Sequence, residues 1–200
     1  TGANNIAIGY AALSTEDTGH GSVAIGSFAL QDQDAGNAYN VAVGFSAGLE
    51  ITSGLYNNLI GGFAGDALTT GTRNVAIGYN ALSTEDTGQA NIAIGQGALQ
   101  NANYDGTAYN IAIGHNAGLG VSTGVNNTLI GSLAGDAITT GSDNVAIGRS
   151  ALTANDTGSR ATAVGSYSLY NQNPTGSDYF YNVALGYQTA YNITTGTPNV

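Results

Sequence analysis

The stretch Asn74–Gly88 reads NVAIGYNALSTEDTG and repeats Asn5–Gly19, NIAIGYAALSTEDTG, almost letter for letter. Its first five residues, Asn-(Val/Ile)-Ala-Ile-Gly, recur along the whole chain. The recurring motif ends at Gly9, Gly26, Gly44, Gly61, Gly78, Gly95, Gly114, Gly131, Gly148, Gly165 and Gly186. Most units are 17 residues long; those beginning at Gly26, Gly95 and Gly165 have 18, 19 and 21. A helical-hairpin repeat takes more than about thirty residues, so these units are too short for one. Their apolar pattern has period two, with Ile6 and Ile8 on one face and Ala7 on the other, as in a strand. The closing Gly turns the chain cheaply because it tolerates positive φ. Three residues later comes a small residue, Ala12, Ala29, Ala47, Ala64 and their equivalents, followed by a Gly/Asn/Asp/Thr loop.

Two short strands and two turns in 17 residues make one coil of a parallel β-solenoid. The sequence therefore predicts an all-β fold of about eleven coils of 17–21 residues, with a strand centred two residues before each motif Gly. At about 4.8 Å per coil the rod is about 50 Å long. On this reading Ile25 and Ile94 lie in a thin apolar layer between two sheets. The domain is single, 1–200, and contains nearly three super-repeats of four units, about 1–70, 71–140 and 141–200. It begins with Thr1 and stops inside a twelfth motif, so it reads as a piece of a longer chain.

An Asn stands four residues before most motif glycines: Asn5, Asn40, Asn57, Asn74, Asn91, Asn110, Asn127, Asn144 and Asn182, with Ser22 and Ala161 as exceptions. A turn would accept Asp or Gly there, and neither occurs. Stacked in register, these amides predict a hydrogen-bonded ladder along the rod.

Composition narrows the function. Gly, Ala, Asn and Thr number 31, 30, 22 and 22 of the 200 residues, and the net charge is −10 with three Arg and no Lys. There is no basic patch to neutralise phosphates, so no nucleic-acid partner is expected. No apolar run approaches a membrane span, so no direct membrane insertion is expected in this segment. Without Cys there is no thiolate nucleophile and no Cys-based zinc site, and the two His, His20 and His115, lie more than five coils apart. The Gly-rich stretches lack the Lys of a phosphate loop and the third Gly of a dinucleotide fingerprint. No catalytic residue, cofactor or metal is expected. Glu16-Asp17, Glu85-Asp86 and Asn155-Asp156 share one loop, which reads as a solvated turn.

Iterated eleven times, Asn-Val-Ala-Ile-Gly-x-x-Ala resembles the head repeats of YadA-like trimeric autotransporter adhesins, and the 17-residue variant is similar to repeats of phage tail fibres. The resemblance covers essentially the whole chain. It implies a left-handed parallel β-roll, three chains side by side as a homotrimer, and an extracellular location on a virion fibre or a bacterial surface. These coils are longer than those of the adhesin head, and the stretch has no anchor or coiled-coil stalk, so the resemblance leaves both origins open. The implied role is a structural and adhesive rod that attaches to a host-surface glycan or protein receptor. A β-helical polysaccharide-degrading spike enzyme is the alternative, and it needs a cleft with paired carboxylates. An ice-binding solenoid needs Thr pairs on every coil, whereas Thr-Thr occurs only at Thr69, Thr139 and Thr194.

The three longest units carry the most variable loops, QDQDAGNAYN, QNANYDGTAYN and YNQNPTGSDYFYN. They collect Asp34 and Tyr39; Tyr104, Asp105 and Tyr109; and Tyr170, Asp178, Tyr179 and Tyr181. Exposed Tyr beside Asp and Asn suits sugar recognition or protein contact, and packing between chains, with Tyr covering the edges of neighbouring rolls, is the plainer reading.

Overall fold

A computed structural model describes residues 2–173, 179, 181–196 and 198–199. The chain winds as a parallel β-solenoid. Its eleven three-residue strands are β1 Ile6–Ile8, β2 Val23–Ile25, β3 Val41–Val43, β4 Asn58–Ile60, β5 Val75–Ile77, β6 Ile92–Ile94, β7 Ile111–Ile113, β8 Thr128–Ile130, β9 Val145–Ile147, β10 Thr162–Val164 and β11 Val183–Leu185. They form one sheet in chain order, every neighbour parallel and in register. Each strand is centred two residues before its motif glycine, as the period-two pattern requires, and no helix occurs among the described residues.

The expectation of two strands per coil is corrected: only one forms. After the motif glycine the chain alternates between ordinary and left-handed backbone. The second and fourth residues both have positive φ, as in Phe28 (63°) and Leu30 (49°), or Asn80 and Leu82 (both 54°). Such a segment cannot join a regular ladder, yet it stacks on its neighbours coil by coil, for example Leu30 N–H to Ala47 O at 3.0 Å and Leu82 N–H to Ala98 O at 3.0 Å. The left-handed residues cost strain that the stacking offsets.

The motif glycines sit directly above one another. A Cβ on Gly61 would stand 2.6 Å from Gly78 O, and φ is +133° there, a conformation closed to residues with a side chain.

The interior is narrow. The middle residue of each strand points inward, and Ala24, Ala42, Leu59, Ala76, Ala93 and Ala112 are fully buried. Opposite them lie the small residues of the second segment, such as Ala29, Ala47 and Ala64, with one larger side chain per coil, Leu30, Ile51, Leu68, Leu82 or Leu99. The Ile and Val that flank each inward residue face the other way. Ile25 and Ile94 are therefore corrected from the interior to the outer face, where they are half-buried. The inner position fits only Ala or Leu because the opposite wall of the coil is so close.

Asn side chains tie the coils together. Asn57 accepts Asn74 N–H at 3.0 Å and donates Nδ2 to Gly71 O at 2.9 Å. Asn40, Asn127 and Asn144 bridge in the same two directions. Asn5 and Asn182, near the two ends, do likewise. Most of these bonds run from amide to backbone; amide-to-amide contacts also occur, as between Asn57 and Asn40 at 3.2 Å. The two exceptions have a structural partner. Where Ser22 replaces Asn, Gln33 fills the space, donating to Ser22 Oγ at 3.0 Å and accepting Asn40 Nδ2 at 2.8 Å. Where Ala161 replaces it, Gln172 accepts Asn182 Nδ2 at 3.3 Å. In the 19-residue unit Gly106 O accepts Gln89 N–H at 2.8 Å, and Asn91 Nδ2 is buried without a partner.

Candidate functional site

The surface is organised around the outer face of the sheet. One column runs Ile8, Ile25, Val43, Ile60, Ile77, Ile94, Ile113, Ile130, Ile147, Val164 and Leu185, apolar in every coil. A parallel column of Val and Ile, interrupted by Asn58, Thr128 and Thr162, lies two residues earlier. Along the middle of the rod Ile60 is 41% exposed, and Ile25, Val43, Ile77, Ile94, Ile130 and Val164 are half-buried. The two columns span about 50 Å by about 10 Å, roughly 500 Å², which is at the upper end of what a monomeric surface leaves bare.

An aromatic row borders this face on one side and a mixed row of Tyr and charged residues on the other. Past the motif glycines, Tyr10, Phe28, Phe45, Phe63 and Tyr79 alternate between the first and second following residue, so each ring meets the next edge-on at 5.3–5.9 Å. The row resumes at the other end with Arg149 over Tyr167 at 5.2 Å, and Tyr167 against Tyr187. On the other border, five residues before the motif glycine, stand Tyr39, Tyr56, Arg73, Tyr109, Asp143, Arg160 and Tyr181, all with positive φ. Among the described residues, every exposed large apolar side chain except Tyr179 belongs to the sheet face or one of these borders.

The candidate loop residues fall in three places, four coils apart, and are not brought together. Tyr39 is exposed; its ring covers Gly21, where a Cβ would meet it at 2.6 Å, and its other side stacks on Tyr56 at 5.8 Å and 7°. Asp34 is exposed on the same loop. In the second loop Tyr109 is exposed, Asp105 Oδ1 accepts Thr87 Oγ1 at 2.8 Å, and Tyr104 N–H points to the Glu85 carboxylate at 3.3 Å. In the third, Arg160 stacks over Tyr179 at 3.9 Å, donates to Tyr181 Oη at 2.7 Å and lies 3.6 Å from Asp143. Tyr170 stacks on Tyr191 at 4.9 Å. Asp178 lies outside the described residues.

The acidic loop is corrected from a solvated turn. Glu85 is fully buried and Glu16 half-buried, and each folds back to accept the backbone N–H three residues on, from Gly88 at 2.8 Å and from Gly19. Asn155 does the same for Gly158 at 3.0 Å. Burial pushes the Glu85 carboxyl up, against the lowering effect of the Gly88 and Tyr104 N–H groups. Burial also raises Asp66, to about 6, and Asp136, and each leaves one oxygen without a partner.

Sequence reasoning singled out the inserted loops and missed the row Tyr10, Phe28, Phe45, Phe63 and Tyr79. Aligning the units on their glycines exposes it: an aromatic residue occupies one of two adjacent columns in five successive coils. Compared with known proteins, the chain matches no family model, no curated protein and no solved structure.

Proposed function

We propose that the chain is a non-catalytic rod segment of an extracellular trimeric fibre, of the kind its repeats resemble in trimeric adhesin heads and phage tail fibres. The observation that carries this reading is the apolar outer face, present in every coil and bordered by aromatic and charged residues. A partner that covers such a face must repeat at the same rise, about 4.8 Å per coil, and another copy of the chain does so by construction. Three left-handed rolls around a common axis close the face on itself and leave no apolar sheet toward water. The net charge of −10 per chain then keeps finished rods apart. The loops of the three longest units project from the rod and are the points of attachment to a host-surface glycan or protein.

Sedimentation equilibrium at several concentrations tests this. The expected mass is three times the 20.0 kDa of one chain. A stable monomer at micromolar concentration overturns the reading.

A further inference from the structure

The borders of the outer sheet hold every cation of the chain. Arg73 and Arg160 stand five residues before their motif glycines and Arg149 one residue after its own, and there is no Lys. At the far end of its own strand each has a group that attracts it: Tyr79 for Arg73, Tyr167 for Arg160, Asp143 for Arg149. Within one chain those ends lie more than about 10 Å apart by the rise of the strand, so the pairs cannot close. Instead Arg149 lies over Tyr167 and Asp143 beside Arg160, both Asp143 and Arg149 remaining exposed.

We propose that the two borders meet across the seam between neighbouring copies of this chain, coil against the same coil, and that the arginines fix that register. The inference rests on the trimeric reading above. When parallel rolls surround one axis, the strands run in the same sense around it, so the C-terminal border of one sheet abuts the N-terminal border of the next. In register, Arg149 meets Asp143 of the neighbouring copy, Tyr79 meets its Arg73 and Tyr167 its Arg160, pairs of the ion and cation–π kind. Phe45 and Phe63 meet rings at Tyr39 and Tyr56.

The outer face cannot set this register alone, because it is nearly the same in every coil and the sequence repeats every four. A slip of one coil places Arg149 against Arg160 of the neighbour in one direction and against Asn126 in the other. A slip of four coils, which the repeat would otherwise favour, places Arg149 against Arg73. Like charges brought together suppress the wrong pairing. A staggered contact of this head-to-tail kind also fails to close and builds open assemblies.

The chain has no cysteine, so Asp143→Cys with Arg149→Cys introduces the only two thiols. A disulfide needs Cα atoms within about 7 Å, which the ends of one strand do not offer and the seam does. Mild oxidation should give a non-reducing ladder of one, two and three chains that ends at three, while each single variant stays at one. Asn126→Cys with Ser132→Cys, one coil earlier and clear of the arginines, should behave alike and guards against a variant that misfolds. Adding Arg149→Glu to that second pair should lower its cross-linking about tenfold; an unchanged yield overturns the role of the arginine. Sedimentation runs alongside: trimers that do not cross-link overturn the seam and leave the fibre reading standing, monomers overturn both, and a ladder running past three for the Asn126/Ser132 pair, which keeps all three arginines, overturns the register.

Discussion

A Cβ placed on Gly65 would stand 2.8 Å from Cδ1 of Leu68, so the side chain that one residue lacks and the other has occupy a single volume. The same exchange runs along the rod. Gly48, Gly65, Gly118 and Gly135 are followed three residues later by Ile51, Leu68, Val121 and Ile138. In the other units of the first ten, Leu13, Leu30, Leu82, Leu99, Leu152 and Leu169 hold the glycine position, and Glu16, Gln33, Glu85, Ala102, Asn155 and Gln172 follow. Each coil has room for one large apolar group opposite its strand, supplied from either place.

Gly65→Ala should therefore destabilise by about 1–3 kcal/mol, from overpacking and from a left-handed φ of +55°. Leu68→Ala should cost about 2–5 kcal/mol by opening a cavity. Combined, the two should cost less than their sum, because each relieves the fault of the other. Urea denaturation at fixed protein concentration reads all three; strict additivity would show that the two sites do not share a volume.

Asn57→Ala removes an acceptor for Asn74 N–H and a donor to Gly71 O, both buried. The expected loss is about 2–4 kcal/mol, two unmet backbone groups in the middle of the rod. Asn57→Asp keeps the acceptor but turns an oxygen toward the Gly71 carbonyl, and should be no better at pH 7. A melting temperature for Asn57→Asp equal to that of the unaltered chain would show that the donated bond contributes nothing.

Ala93→Asp and Ile94→Asp differ by one residue and by opposite faces of β6. The first places a carboxylate in the interior, where Ala93 is fully buried, and should abolish the cooperative fold. The second should leave the coil intact by circular dichroism and dissociate the proposed trimer. The reverse pattern would mean that the outer face is not where the chains meet.

Stability should fall as pH rises through the range from about 4 to 6. Asp66 binds its proton more tightly in the fold, at about 6, than its ordinary value of 3.8, and burial raises Asp136 and Glu85 in the same direction. Between those limits the folded chain holds more protons than the unfolded one, so each raised carboxyl contributes most below its unfolded value and loses that contribution as pH climbs past its folded one. With Asp66 half exposed, screening leaves about 1 kcal/mol for it. Thermal melts at pH 5 and 7.5 should show the higher midpoint at pH 5, and Asp66→Asn should shrink the difference.

The strands were legible because three consecutive residues of alternating character, such as Ile6, Ala7 and Ile8, fit nothing else at this spacing. Their orientation was not. Ile, Ala, Ile says which residues share a face, and only the depth of the coil decides that Ala goes inside. The second segment was misread for a sharper reason. Leu30 and Leu82 adopt left-handed backbone, which local preference denies to Leu, and stacking between coils overrides it. Glu85 reads as solvent-facing in STEDTG because nothing local shows that its carboxylate turns back onto Gly88. Tyr39 and Tyr109 were found through loop length, whereas Tyr10 and Phe28 needed the columns of the repeat to be compared.

The stacking of coils along a single axis has a mechanical consequence. The hydrogen bonds between β5 and β6, and those of Asn74 and Asn57, run along the rod, so a pull on the two ends loads the coils in series. The weakest gives way first and its neighbours keep their shape. Each coil that opens replaces about 4.8 Å of rod by 17 residues of slack chain, up to about 55–60 Å. A solenoid built this way lengthens stepwise under load, yielding at one coil rather than snapping.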